Sequence, residues 1–228
     1  KLFKQAAAVV GLAAATVTPA PAVAQVEGKV AISSIPNAIL GVPSFQTAFN
    51  QVSETYAAQL QQIQDKRTQL DGFVKPYDTN GNGNIDPGAE SSALQSGANF
   101  QQIQSLRGEI AGLENQVTSA QIYAVEQVLA QYQAALSEVA IAQQIVMVME
   151  PSSLLYASEG ADITPAVSAA LASKVAVVGN VPPQGYQPSQ TGLQIFQEIQ
   201  LRLVQQARAR AAAQQQQPQG NTEAPAGR

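Results

Sequence analysis

The chain has 228 residues, with Lys+Arg 12 against Asp+Glu 16, a net charge of −4, and no Cys, His or Trp. An acidic balance argues against a nucleic-acid footprint, which needs a basic face. Lack of His and Cys removes the common zinc sites, a thiol nucleophile and a Ser-His relay. Oxygen-ligand metal sites stay open, and the absence of Cys fits an oxidising compartment.

The first residues read as an export signal. Lys1 and Lys4 make a basic start, Ala6 to Ala15 an apolar run too short to span a bilayer, and Pro19 and Pro21 break it. Ala22 and Ala24 satisfy the small-residue cleavage rule, so residues 1–24 are expected to be a signal peptide and the mature chain to start near Gln25. Downstream no apolar run is long enough for a transmembrane span.

The next segment, 28–35, alternates through Val30 and Ile32 and predicts a strand. Pro36 and Pro43 frame a short connection, and Ser44 is the expected N-cap of a helical arm over 44–75. There Phe45, Phe49, Val52, Tyr56, Leu60 and Ile63 recur in steps of three and four, a stripe close to heptad spacing.

Residues 76–98 form the expected tip loop, and Asp78 to Asp86 align with a calcium-binding EF-hand loop. Asp78, Asn80 and Asn82 fall at positions 1, 3 and 5, Gly83 at the sharp turn, Asn84 at 7 and Asp86 at 9. Position 12 is Ala89, with Glu90 one residue late, so any calcium site is expected to be weak. The competing reading is a plain Asn/Gly turn.

A second arm is expected over 99–144. Ile103, Leu106, Ile110, Leu113, Val117 and Ala120 hold an a/d seam that shifts to Ile122, Val125, Leu129, Tyr132, Leu136 and Val139, a phase change readable as a stutter. The two stripes most simply pack as an antiparallel coiled-coil hairpin. The excess of Gln around them counts against a large bundle core. Asp65, Glu109, Glu114, Glu126 and Glu138 on these arms read as solvated helix faces.

Past Gln144 the period becomes two. Strand structure is expected over 145–157, with Met147 and Met149 as core filling and Tyr156 as a packed sheet residue. Thr164 is the expected N-cap and Pro165 the N1 residue of a final core helix, 164–175. A Pro/Gly linker at 179–189 leads to a C-terminal helix, 190–213, with Leu193, Phe196, Ile199 and Leu203 on one face, expected to fold back on the body. Residues 214–228 carry the composition of a disordered tail. The fold class is α+β: a small sheet body from both chain ends with a long helical hairpin arm, in a domain over 25–178.

The strand at 29–35 followed by a long helix, and above all the block from Met149 to Leu171, resemble the Skp/OmpH family of periplasmic outer-membrane-protein chaperones. The resemblance implies a homotrimer whose strands form a shared body and whose arms surround a cavity. It implies an ATP-independent, non-enzymatic holdase for unfolded outer-membrane proteins, periplasmic and needing no cofactor. Family arms are basic, whereas this chain is acidic, so apolar and Gln-rich faces would carry more of the client contact. The alternative is a structural or calcium-responsive coiled-coil envelope protein without general clients.

Overall fold

The computed structural model describes residues 28–215. The expected signal peptide and all but the first two residues of the expected tail lie outside that range. Strand β1 (Lys29–Ile32) leads into helices α1 (Ile35–Leu40), α2 (Pro43–Thr55) and α3 (Ala57–Val74). A 3-10 turn over Lys75–Tyr77 and the tip loop precede α4 (Ala89–Ser96). Helix α5 (Phe100–Gln143) returns to β2 (Ile145–Met149), followed by α6 (Thr164–Lys174) and α7 (Gln190–Gln215).

The long legs follow their seams. Ile63, Ile103, Leu106 and Ile110 are buried along the distal arm, and Val52 packs with Val117 and Ala120 nearer the body. Lys66 pairs with Glu109, and Arg67 with Glu114 at 2.6 Å. At 1.5 Å per residue the 44-residue α5 runs about 66 Å. It crosses the expected stutter without interruption: as the seam shifts, Ile122, Val125 and Val128 turn from the arm to the body core. A change of partner, not local unwinding, accounts for the phase change.

The body packs β1, α1, the start of α2, the second half of α5, and α6 and α7 around Ile39, Val42, Phe45, Val125, Val128, Val167, Leu171 and Ile199, all fully or almost fully buried. β1 and β2 pair in parallel, with Ala31 opposite Val148 and Ile32 opposite Met149, which brings the two ends of the arm together. Such a parallel crossover needs a long connection, here the arm itself.

Several local expectations are corrected. The first strand ends at Ile32 because Ser34 caps α1, its Oγ accepting the Asn37 N–H at 3.4 Å, in what was read as a bare connection. The second stops at Met149. Pro151 has no N–H to extend the ladder and opens a 3-10 turn over Pro151–Ser153, after which no strand forms over 154–157. Tyr156 is therefore 84% exposed rather than packed, and Met147 is 48% exposed rather than core filling. Ser44 does not cap α2: Val42 holds the N-cap position, Pro43 begins the helix, and the Ser44 hydroxyl donates to the Val175 carbonyl at 2.5 Å. Thr164 lies inside α6. Its Oγ1 accepts the Ser34 N–H at 3.0 Å, while Ile163 holds the N-cap position and Asp162, just before it, accepts the Thr164 N–H. Pro165 is accordingly the second helical residue, not the first. In α7 Leu193 points outward and Ile195 takes its place beside Phe196 and Ile199.

Candidate functional site

Two regions carry unusual surface chemistry. One is the open sheet. Val30, Val146 and Met147 lie about half exposed on a sheet that has two strands among the described residues, and Leu155 beyond β2 is fully exposed. Val146 also closes over the chain entry: a Cβ at Gly28 would fall 2.2 Å from its Cγ1. Two strands are marginal alone in water. Here Ala31 and Val148 pack against the body core, while Val30, Val146 and Met147 stay half exposed.

The other is the arm tip, where the EF-hand-like residues are gathered by their own hydrogen bonds. Asp78 accepts the Asn82 N–H at 3.2 Å and the Gly83 N–H at 2.8 Å, and Asn80 Oδ1 accepts the Asn82 N–H at 3.0 Å. Asn82 Oδ1 takes the Asn84 N–H at 2.7 Å. Asp86 Oδ2 accepts from both the Asn80 and Asn82 amides, at 2.8 and 3.2 Å. Gly83, at φ 82°, supplies the left-handed turn that the motif demands of its sixth position.

Glu90 lies in the first turn of α4 and is almost fully buried. Its Oε1 accepts the Thr79 N–H (2.8 Å), the Thr79 hydroxyl (2.6 Å) and the Asn80 N–H (3.3 Å), while Oε2 accepts the Asp86 N–H at 3.0 Å. These donors, the Asp86 N–H foremost and then the Thr79 hydroxyl, hold its carboxyl at about 2 against burial. Glu90 thus ties the start of the loop to its end. Asp78, Asn80, Asn82 and Asp86 carry oxygens of the hard kind calcium takes, but here the Asp78, Asn80 and Asn82 oxygens accept backbone N–H groups and Asp86 accepts the two Asn amides. Among the described residues no three acidic or imidazole side chains converge as a metal cluster.

Of the arm carboxylates read as solvated, Glu109, Glu114 and Glu138 pair with Lys66, Arg67 and Lys174. Glu126 departs from that reading: it accepts the Tyr186 hydroxyl at 2.6 Å and the Ser189 N–H at 2.7 Å. Its one sequence signal was its position on the inward-turning part of α5, with a Tyr far down the chain as partner.

The family model for outer membrane protein (OmpH-like) matches residues 29–171, well over half of the chain. The chain belongs to the OmpH-like family. No curated protein matches it. A solved structure from Caulobacter crescentus CB15, an OmpH-like protein provisionally named an outer membrane chaperone, is similar at 20% identity. The likeness covers 69% of this chain and 92% of that one with a TM-score of 0.40, too distant for functional weight. The family is not known for enzymatic activity or a required cofactor. Among the described residues no helix is long and apolar enough to cross a membrane.

Proposed function

We propose that this protein is an ATP-independent periplasmic holdase that keeps unfolded outer-membrane proteins soluble, acting as a homotrimer with an antiparallel coiled-coil arm on each subunit. Family membership supports the chaperone role and its compartment. The observation that carries assembly is the open two-stranded sheet with Val30, Val146 and Met147 outward. Further strands of like chains would cover this face, as small bodies without disulfides commonly need. Clients would meet the arms through apolar and amide contacts, since a net charge of −4 offers little attraction at long range. The test is whether the purified protein, without nucleotide, keeps a urea-diluted β-barrel protein soluble at stoichiometric ratio. Aggregation at the rate of the client alone would reject the reading.

A calcium-responsive tip is a second reading, favoured by the hydrogen-bonded loop that links Asp78, Asn80, Asn82 and Asp86. Calcium there would be held by these side chains, the Asn84 carbonyl and Glu90, with an affinity in the weak extracellular range of about 10⁻⁴ to 10⁻³ M. With Glu90 engaged by four donors, the ion would depend mainly on Asp78 and Asp86. Titration calorimetry with calcium on the native protein and on Asp78→Ala tests it. No heat at millimolar calcium leaves a hydrogen-bonded turn.

A further inference from the structure

Residues 78–86 at the arm tip form no helix or strand, and Asn80, Gly81, Asn82 and Gly83 are all exposed. Asn80 and Asn82 are the only Asn residues of the chain that precede Gly. An Asn side chain in that position is open to attack by the Gly backbone nitrogen. No neighbouring side chain screens the nitrogen, and the Gly backbone turns freely. Because Asn-Gly occurs twice in succession, the sequence gives the two sites equal standing. The structure separates them.

The difference lies in the attacking nitrogen. The Gly83 N–H donates to Asp78 Oδ2 at 2.8 Å, a bond to a charged acceptor that must break before the nitrogen attacks. The Gly81 N–H has no hydrogen-bond acceptor among the described residues. In other respects the two sites are alike. Asn80 Nδ2 donates to Asp86 Oδ2 at 2.8 Å and Asn82 Nδ2 to the same oxygen at 3.2 Å. Each Asn Oδ1 accepts the N–H two residues on, at 3.0 and 2.7 Å. Both glycines are left-handed, at φ 71° and 82°. Nothing lies within 4 Å of where a Cβ at Gly81 would sit, so a ring has room to form there. The free nitrogen favours Asn80.

We propose that Asn80 is a site of spontaneous deamidation and that Asp78 protects Asn82 from the same reaction. The Gly81 nitrogen gives its proton to hydroxide or water and attacks Asn80 Cγ. The N–Cγ bond forms, the Cγ–Nδ2 bond breaks, and the amide nitrogen leaves as ammonia with a proton from water. Water then opens the cyclic imide at either carbonyl, giving aspartate or isoaspartate at position 80 without any oxidant or reductant. Either product replaces a donor by a carboxylate. The Asn80–Asp86 bond that ties the start of the loop to its end is lost, and two carboxylates face each other in its place. A fresh chain therefore has a closed tip and an aged chain a loosened one, whether or not the loop takes calcium.

The test uses the full chain, incubated at mildly alkaline pH with a chelator so that no cation holds the loop. Samples are digested at acid pH, and fragmentation mass spectrometry places each deamidation at 80 or 82. A parallel sample is kept unfolded in urea. In the folded chain Asn80 should react about tenfold faster than Asn82, the factor set by breaking the Gly83–Asp78 bond and corresponding to about 1.4 kcal/mol. In urea the two rates should converge. Asp78→Ala should raise the Asn82 rate toward that of Asn80. No product at Asn80, equal or reversed rates in the folded chain, or a difference that survives in urea overturns the proposal. Asn80→Asp carries the product's charge from the start. It should speed amide exchange at Asn82 and Gly83 about fivefold, corresponding to about 1 kcal/mol. Unchanged exchange there overturns the loosening.

Discussion

The hydroxyls of Ser33 and Tyr132 meet at 2.8 Å inside the body, both residues almost wholly buried and 99 positions apart. Ser33 extends the β1–β2 ladder through its N–H to the Met149 carbonyl at 3.0 Å, and Tyr132 stands on α5 where the arm becomes body. Burial raises the Tyr132 pKa, so the pair is neutral across the ordinary range. Tyr132→Phe leaves the Ser33 hydroxyl buried without its partner, and Ser33→Ala does the same to Tyr132. Each orphaned group costs about 1–3 kcal/mol. Removing both leaves neither orphaned, so the double variant should lie well short of the sum of the singles, with a coupling of about 1 kcal/mol. For a chain of this size 1 kcal/mol shifts Tm by roughly 2–4 °C. Thermal unfolding followed by circular dichroism reads the cycle at fixed protein concentration, since assembly would make Tm concentration-dependent. Singles that do not lower Tm, or a double variant equal to their sum, would show that this bond does not join sheet to arm.

At the tip, Glu90 has a folded pKa of about 2 against an ordinary 4.5, so its support is complete above about pH 4.5 and is lost as pH falls toward 2. Amide exchange at Thr79, Asn80 and Asp86 should accelerate in that window before the body unfolds. Met147→Asp, at a half-exposed position, should lower the oligomeric mass in light scattering with helicity retained, because it places charge on the face proposed to be shared. Client affinity should change little across a salt series; a loss of several tenfold would reveal a basic capture surface.

The arm was legible because both legs carry three-four stripes, and Ile63, Ile103, Leu106 and Ile110 are buried where the period placed them. The tip was legible because Asp78 to Asp86 encode a turn through spacing that local hydrogen bonds fulfil. What failed depended on distant partners. Thr164 looks like a cap, but Ser34, 130 residues earlier, claims its hydroxyl. Tyr156 and Leu155 look like core by residue type, yet the described residues offer no third strand for them to join. Glu126 sits in an apolar stretch of α5, between Val125 and Val128, and only the return of the linker over α5 gives its carboxylate partners. The short α1 hid behind two prolines, of which Pro36 sits comfortably in a first helical turn.

The most direct measurement is the mass of the assembly, by light scattering or native mass spectrometry, with and without one unfolded β-barrel protein. The account predicts a trimer alone and a defined, soluble trimer–client complex formed without nucleotide. A folded, stable monomer, or a trimer whose mass is unchanged while the client aggregates, would contradict it.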